Sequence, residues 1–107
     1  MPMTSVYAEL EPARADIDAL EGSAVIEFGA PWCGYCSAAQ PLLAAALAKI
    51  PSIAHVKIED GKGRRLGRSF RVTLWPTLIF LGDGKEVARL VRPVDSTVIK
   101  EALAKTM

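Results

Sequence analysis

The chain has little of several features that mark specialised classes of protein. It has 107 residues and only two cysteines, too few for the disulfide framework of most small secreted domains. With 8 glycines and 7 prolines, it is not a collagen-like or low-complexity chain. Neither charge dominates, because 13 Lys and Arg residues face 12 Asp and Glu residues, so no net field attracts nucleic acid.

A long uncharged stretch, Phe28–Ala48, has the length of a membrane-spanning helix but not its composition. Pro31 and Pro41 interrupt the stretch and much of the remainder is alanine, so we interpret it as a strand end, a loop and a buried helix. Met1–Glu11 has neither the basic nor the apolar region of a signal peptide, so the expected location is the reducing cytoplasm. Half of the residues are apolar, which predicts one folded domain over residues 1–107.

Short apolar runs alternate with helical patterns along the chain. Strands are expected at Val6–Ala8, Ala24–Phe28, Ile53–Ile58, Thr77–Leu81 and Glu86–Val91, with a hairpin turn at Gly82–Lys85. Helices are expected from Pro12 to Gly22, from Gly34 to about Ile50 with a kink at Pro41, over Arg65–Phe70, and after a cap at Asp95 or Ser96. This order predicts an α/β protein in which helices cover both faces of a mixed four- to five-stranded sheet.

The most informative segment is Pro31–Cys36, with the sequence PWCGYC. Its two cysteines, three residues apart at the start of a helix, lie on one face and close enough to form a disulfide. The free N–H groups and the dipole of the helix start should stabilise a Cys33 thiolate, whereas Cys36, one turn deeper, should be less exposed and less acidic. This asymmetry suits thiol–disulfide exchange, in which one thiolate attacks and the second thiol resolves the mixed disulfide.

From about Ser23 to Leu103 the chain resembles the thioredoxin family. Besides the WCGYC motif, the resemblance rests on Glu27, at the position of the family's buried acid, and on Pro41, where the active-site helix of the family bends. It also rests on Leu74-Trp75-Pro76-Thr77, which matches the family's cis-proline loop, and on Lys57, which matches the lysine beside the buried acid. It implies the thioredoxin fold and a protein-disulfide reductase that works without a cofactor.

The resemblance also implies a role for each matching residue of the reaction centre. Cys33 would be the nucleophile and Cys36 the resolving thiol. Glu27 would accept the proton of Cys36 through a water. A carboxylate among apolar neighbours on a central strand should have a raised pKa, and Lys57 would moderate that rise.

A second set of residues is expected to bind the substrate. Pro76, if its peptide bond is cis, would hold the neighbouring backbone open to pair with an extended client segment, and Trp32 would form part of the rim. The remaining members of the expected set are Gly34, Tyr35, Trp75 and Arg92.

Several positions depart from the family pattern. Gly34-Tyr35 stands where thioredoxins have Gly-Pro, which favours a more oxidising site. Gly29 replaces a usual aromatic residue and opens space beside the motif. Trp75 is bulky for the position before the proline, and Arg92-Pro93 falls where thioredoxins have a glycine that lets partners approach. These changes bear on the partners more than on the chemistry.

Other functions fit parts of the same pattern. A disulfide isomerase or oxidase, or a glutaredoxin-like activity, would use the same motif, and a non-catalytic redox-sensing or metal-binding module is the alternative from another class. Zinc is disfavoured because it needs four ligands, whereas the chain offers two cysteines and His55, which we interpret as a solvated strand residue.

The expected partners are client proteins with disulfides and an electron donor, either a reductase or glutathione. A basic run consists of Lys57, Lys62, Arg64, Arg65, Arg68 and Arg71. Acidic residues interrupt it and no aromatic spacing accompanies it, so we interpret it as a solvated surface and expect no nucleic acid. We also expect no membrane contact, no bound metal and a monomer.

Overall fold

The computed structural model describes residues 3–107, and in this range four strands form one sheet. In chain order the elements are α1 (Arg14–Asp18), β1 (Ser23–Gly29), α2 (Gly34–Leu47), β2 (Ala54–Glu59), α3 (Arg65–Ser69), β3 (Thr77–Gly82), β4 (Lys85–Val91) and α4 (Ser96–Ala104). The strand order is β2-β1-β3-β4. β1 is parallel to β2, as a crossover through α2 requires, while β1 with β3 and β3 with β4 are antiparallel. The predicted mixed sheet is confirmed.

The central strand β1 is buried on both faces because its side chains alternate between two apolar clusters. On one face Val25 packs with residues of α2 and α4, among them Leu43 and Ile99. On the other face Ile26 packs with residues of α1 and α3, among them Ile17. Helices therefore cover both faces of the sheet, as predicted. The side chain of Glu27 lies on the same face of the sheet as Val25, the face that α2 covers.

Residues 6–8 do not form the strand that the sequence predicts. Ala8 N donates to the backbone oxygen of Lys57 at 2.9 Å, which ties the segment to the outer edge of β2. Four residues earlier, however, Thr4 N donates to the imidazole of His55 at 2.7 Å instead of to a strand carbonyl. A regular ladder needs successive backbone pairs, and the bond from Thr4 to a side chain is not one of them; residues 6–8 are irregular.

The uncharged stretch Phe28–Ala48 is divided between the end of β1, a loop and α2, as predicted. α2 has 14 residues, contains Pro41 and ends at Leu47, three residues before the expected end near Ile50. None of the helices within residues 3–107 combines the length and the apolar character needed to cross a membrane.

Turn and cap residues have the geometry that the sequence predicts. Between β3 and β4, Asp83 and Gly84 have φ values of 49° and 78°, and tight hairpin turns require such positive angles. Asp95 is the N-cap of α4, where its carboxylate accepts the N–H of Val98 at 3.0 Å.

Candidate active site

The two cysteines occupy the start of α2, immediately after the loop that follows β1. Cys33 is the N-cap, and its sulfur accepts the N–H of Cys36 at 3.2 Å. Both are free thiols; Cys33 is 8% exposed and Cys36 only 2%. An N–H group of the first helical turn therefore points at the Cys33 sulfur, which is the position where a helix favours negative charge.

Cys36 has an environment that keeps its proton on the sulfur. Burial, and after it the hydrogen bond with Cys33, raises the pKa of the Cys36 thiol to about 11. The predicted difference in depth between the two sulfurs is confirmed. At neutral pH the Cys36 thiol must lose its proton before it can attack, because the thiolate is the nucleophile.

Beneath the cysteine pair, Glu27 is the centre of a buried polar network. Its side chain is fully buried, and its Oε2 accepts a hydrogen bond from Gln40 Nε2 at 2.7 Å. Its Oε1 lies 2.9 Å from His55 Nε2, and Lys57 Nζ lies 3.6 Å from Oε2. Gln40 also donates to the backbone oxygen of Cys36 and accepts from Lys57 Nζ, so one amide links the carboxylate, the lysine and the helix of the cysteines.

The expectation of a raised pKa for Glu27 is wrong. Burial is the largest single effect and does act to raise it. The hydrogen bonds from His55 and Gln40 and the positive charge of Lys57 together outweigh burial and lower the pKa of Glu27 below its usual value. The carboxylate is therefore ionised at neutral pH, with a hydrogen-bond partner at each oxygen.

His55 was expected on a solvated strand face, but its side chain is fully buried. Because Nδ1 accepts the N–H of Thr4, which can only donate, the ring proton must be on Nε2. Nε2 therefore donates to Glu27. The sequence carried a signal for this contact, since His55 and Lys57 are two residues apart on β2 and project from the same face. Gln40, one turn after Cys36 on α2, was also missed.

Two tryptophans, one exposed and one partly buried, form a rim beside the cysteines. The peptide bond between Trp75 and Pro76 is cis, as the resemblance implied. Trp75 packs against the buried cluster of Cys33 and Cys36, and its ring meets Trp32 edge to face with centroids 5.4 Å apart. Trp32 remains 74% exposed, so it can contact a docked molecule.

Arg92 connects the proline loop to the cysteine motif. Its Nε donates to the backbone oxygen of Trp75 at 2.9 Å, and its guanidinium lies 3.9 Å from the ring centroid of Tyr35. Its φ of 51° is in the region that favours glycine, the residue that the resemblance places there. A side chain added at Gly34 would meet no atom within 4 Å, so the motif is open to solvent at this point.

The basic run divides into buried and exposed members. Lys57 is 5% exposed and belongs to the network of Glu27 rather than to a solvated surface. Arg65, Arg68 and Arg71 are exposed, as expected.

Comparison with known proteins agrees with this geometry. The family model for thioredoxin matches residues 8–105. A thioredoxin of Chlamydia trachomatis is 34% identical over 84 residues, covering 78% of this chain and 82% of the relative. Thioredoxin H-type 1 of Nicotiana tabacum is 32% identical over 87 residues, covering 78% and 69%. The structure of reduced thioredoxin 2 from Pseudomonas aeruginosa is 55% identical, with a TM-score of 0.82 over 94% of this chain and 93% of that one. The chain therefore belongs to the thioredoxin family and is a thiol–disulfide oxidoreductase that reduces protein disulfides.

Proposed function

We propose that Cys33 is the attacking thiolate of this reductase and Cys36 the resolving thiol. The observation that carries the assignment is the hydrogen bond from Cys36 N to Cys33 Sγ, which directs a donor of the helix start at the Cys33 sulfur. Cys33 is also the more exposed residue of the two, and Trp75 packs against the cluster that contains both. A client disulfide therefore meets Cys33 first, and the mixed disulfide is released by Cys36 from the buried side.

We propose Glu27 as the buried base that receives the proton of Cys36, with Lys57 holding it in its ionised form. Because its pKa is lowered, Glu27 is charged at neutral pH and free to accept a proton. For the same reason it is a weak base, which gives the proton up again easily. Gln40 connects the carboxylate to the cysteine helix through its bonds to Glu27 and to the Cys36 carbonyl, and fixes the distance between the two groups.

Client proteins are proposed to dock on the surface of Trp32, Gly34, Tyr35, Trp75 and Arg92, next to Pro76. Support for this surface comes from the contacts of Trp32 with Trp75 and of Arg92 with Tyr35, which make it continuous. The aromatic rings offer apolar area to an extended client segment, and the open side of Gly34 lets its backbone approach closely.

The proposed partners beyond the client are an electron-donor reductase or glutathione, with no role for nucleic acid or a membrane. Net reduction requires a compartment that returns electrons to the cysteine pair, such as the cytoplasm. We propose that residues 1–107 act as one domain and as a monomer.

Turnover of insulin disulfides with dithiothreitol as donor tests the roles of the two cysteines. The unaltered chain should reduce insulin, and Cys33→Ser should lose the activity entirely because no thiolate attacks. Cys36→Ser should attack once and then stall, since the mixed disulfide has no resolving thiol. A covalent complex on a non-reducing gel would identify the stalled state, with Ser37→Ala as a control that keeps both thiols.

The redox potential of the pair, measured in glutathione buffers, separates reduction from isomerisation. A potential near or below about −270 mV supports a reductase, and a value near about −180 mV would instead indicate an isomerase.

In the insulin test, full activity of Cys33→Ser, or trapping by Cys33→Ser in place of Cys36→Ser, would overturn the assignment of the two cysteines.

A further inference from the structure

The irregular segment before α1 brings a phenol to the resolving cysteine. A Cβ built on Gly29 would lie 2.6 Å from Cys36 Sγ and 2.9 Å from Tyr7 Oη, so both atoms lie over this glycine. The Tyr7 hydroxyl and the Cys36 sulfur are therefore neighbours, and from this position the phenol lowers the pKa of the Cys36 thiol. Any side chain at residue 29 would displace one of the two groups, and the glycine therefore makes the contact possible.

Contacts to β2 hold Tyr7 in place. Ala8 N donates to the backbone oxygen of Lys57 at 2.9 Å, which anchors the residue that follows Tyr7. The Lys57 ammonium lies 4.7 Å from the centroid of the Tyr7 ring, within the range of a cation–π interaction. A cleft of about 450 Å³ is lined by Tyr7, Cys36, Gln40 and Lys57 among others, so the phenol and the resolving cysteine border the same space.

Burial and the charges around Tyr7 keep the proton on its phenol oxygen. Burial comes first, and the negative charges of Cys36 and Glu27 follow; together they raise the pKa of Tyr7 above its usual value of 10. The ionisable groups near the pair are Cys33 at the N-cap of α2, Glu27 on β1, and Lys57 and Glu59 on β2, the last of which lines the same cleft. The phenol keeps its proton in this setting, so its O–H group can act as a donor to the neighbouring sulfur.

We propose that Tyr7 is a further catalytic residue, whose hydroxyl donates a hydrogen bond to Cys36 Sγ and stabilises the thiolate that resolves the mixed disulfide. This inference rests on the proposed role of Cys36 as resolving thiol. The hydrogen bond from Tyr7 lowers the pKa of Cys36 and so opposes the effect of burial, which has the larger influence. Tyr7 thus supplies part of the stabilisation that a buried thiolate otherwise lacks.

The resolving step needs no oxidant or reductant besides the cysteine pair and the client disulfide. The Cys36 thiol loses its proton to the buried base, and its thiolate attacks Cys33 Sγ. The Cys33–Cys36 bond forms as the bond from Cys33 to the client sulfur breaks, and the electron pair leaves with the client sulfur, which is protonated from solvent. The client disulfide has then gained two electrons from the cysteine pair, and Tyr7 has kept its own proton throughout.

The first test measures the Cys36 thiol directly, in a Cys33→Ser background where it is the only cysteine. Iodoacetamide alkylates the thiolate, and below the pKa the thiolate fraction falls tenfold for each unit by which the pKa rises. Adding Tyr7→Phe keeps the ring and removes the hydroxyl. We expect alkylation of Cys36 about tenfold slower throughout pH 7 to 9, with the slope of log rate against pH unchanged. Val6→Ala, an exposed neighbour on the same segment, is the matched control and should leave the rate unchanged.

The second test follows turnover with both cysteines present. Tyr7→Phe should lower the insulin reduction rate and increase the fraction of protein held as mixed disulfide, because only the resolving step is slowed. An alkylation rate in Tyr7→Phe equal to that of its parent would overturn the role of Tyr7 while leaving the roles of the cysteines intact. Failure of Cys36→Ser to trap a client would instead overturn the proposed function, which separates the two outcomes.

Discussion

At the scale of single residues, the site depends on a buried carboxylate whose oxygens are paired with hydrogen-bond donors and a positive charge. Glu27 is fully buried, and its oxygens interact with Gln40, His55 and Lys57. An unpaired buried carboxylate would cost several kcal/mol, so removing one of these partners affects stability more than removing a surface charge would. The network also explains why the carboxylate is ionised in a strand of apolar neighbours.

Replacing Glu27 by glutamine should destabilise the protein at neutral pH. The amide offers one acceptor oxygen where Gln40 and His55 both aim a donor, so we expect a loss of about 1–3 kcal/mol in the free energy of unfolding by urea at pH 7. The control is Glu101→Gln on the exposed face of α4, which should change stability little.

The effect of this substitution should depend on pH in a defined direction. Because the pKa of Glu27 is lowered by folding from its usual value of 4.5, the charged carboxylate stabilises the fold above about pH 4.5. That contribution is lost as the pH falls through the folded-state pKa. The difference between the unaltered chain and Glu27→Gln should therefore shrink in acid, and a difference independent of pH would contradict the role of the charge.

At the scale of elements, the N-cap and the first turn of α2 carry the two cysteines, and α2 packs against the last helix. α4 packs Ile99 and Leu103 into the cluster that contains Leu43 and Leu47 of α2. The start of α4 is fixed by Asp95, which satisfies one of the N–H groups left free at a helix start. The stability of α4 thus affects the packing of α2, the helix of the cysteine motif, although α4 contributes no group to the proposed reaction.

Removal of this cap should lower stability without changing the chemistry. Asp95→Ala should cost about 1 kcal/mol in the free energy of unfolding, because the N–H of Val98 loses its partner. Insulin reduction per folded molecule should remain normal. Thr97→Ala, an exposed change in the same turn, is the control and should be closer to neutral. Equal stability of the two variants would show that the cap contributes nothing.

At the scale of the whole molecule, both edges of the sheet carry features that discourage pairing with another sheet. The segment before α1 is tied along β2 through Thr4 and Ala8. On the other edge, β4 exposes Glu86 and Arg89, which form an ion pair at 2.8 Å. Charged side chains on an edge strand oppose edge-to-edge association, which supports the proposed monomer.

Making the β4 edge apolar should therefore cause association. The double variant Glu86→Val with Arg89→Val leaves a continuous β-forming run, and we expect dimers or larger species by size-exclusion chromatography with light scattering as concentration rises. The unaltered chain should remain at the mass of one copy, 11.5 kDa. A helix-surface control, Glu101→Val, should also stay monomeric. A monomeric double variant would show that the charges do not protect this edge.

The fold and the reaction centre were largely predictable because their signals are local. Hydrophobic runs of strand length, turn residues such as Gly84 and the cap at Asp95 specify elements through neighbours a few residues away. The same holds for the spacing of Cys33 and Cys36 at a helix start. The cis bond before Pro76 was expected only from the resemblance to the family.

The expectations that proved wrong concern contacts between distant parts of the chain. The buried imidazole of His55 accepts a hydrogen bond from Thr4, 51 residues earlier, and the segment expected as a strand at residues 6–8 is irregular. The pKa of Glu27 was predicted from its neighbours along the strand. The groups that lower it come from β2 and α2, and their distance from the carboxylate depends on how these elements pack.

The sequence by itself determined the element order from α1 onward and the pair of cysteines at a helix start, because hydrophobic periodicity and motif spacing act over short distances, and the resemblance to the family added the buried acid. Only the tertiary structure decided which groups surround that acid and which hydroxyl reaches Cys36. The physical reason is that hydrogen bonds form over about 3 Å, so a partner far along the chain becomes relevant only once packing has brought it there.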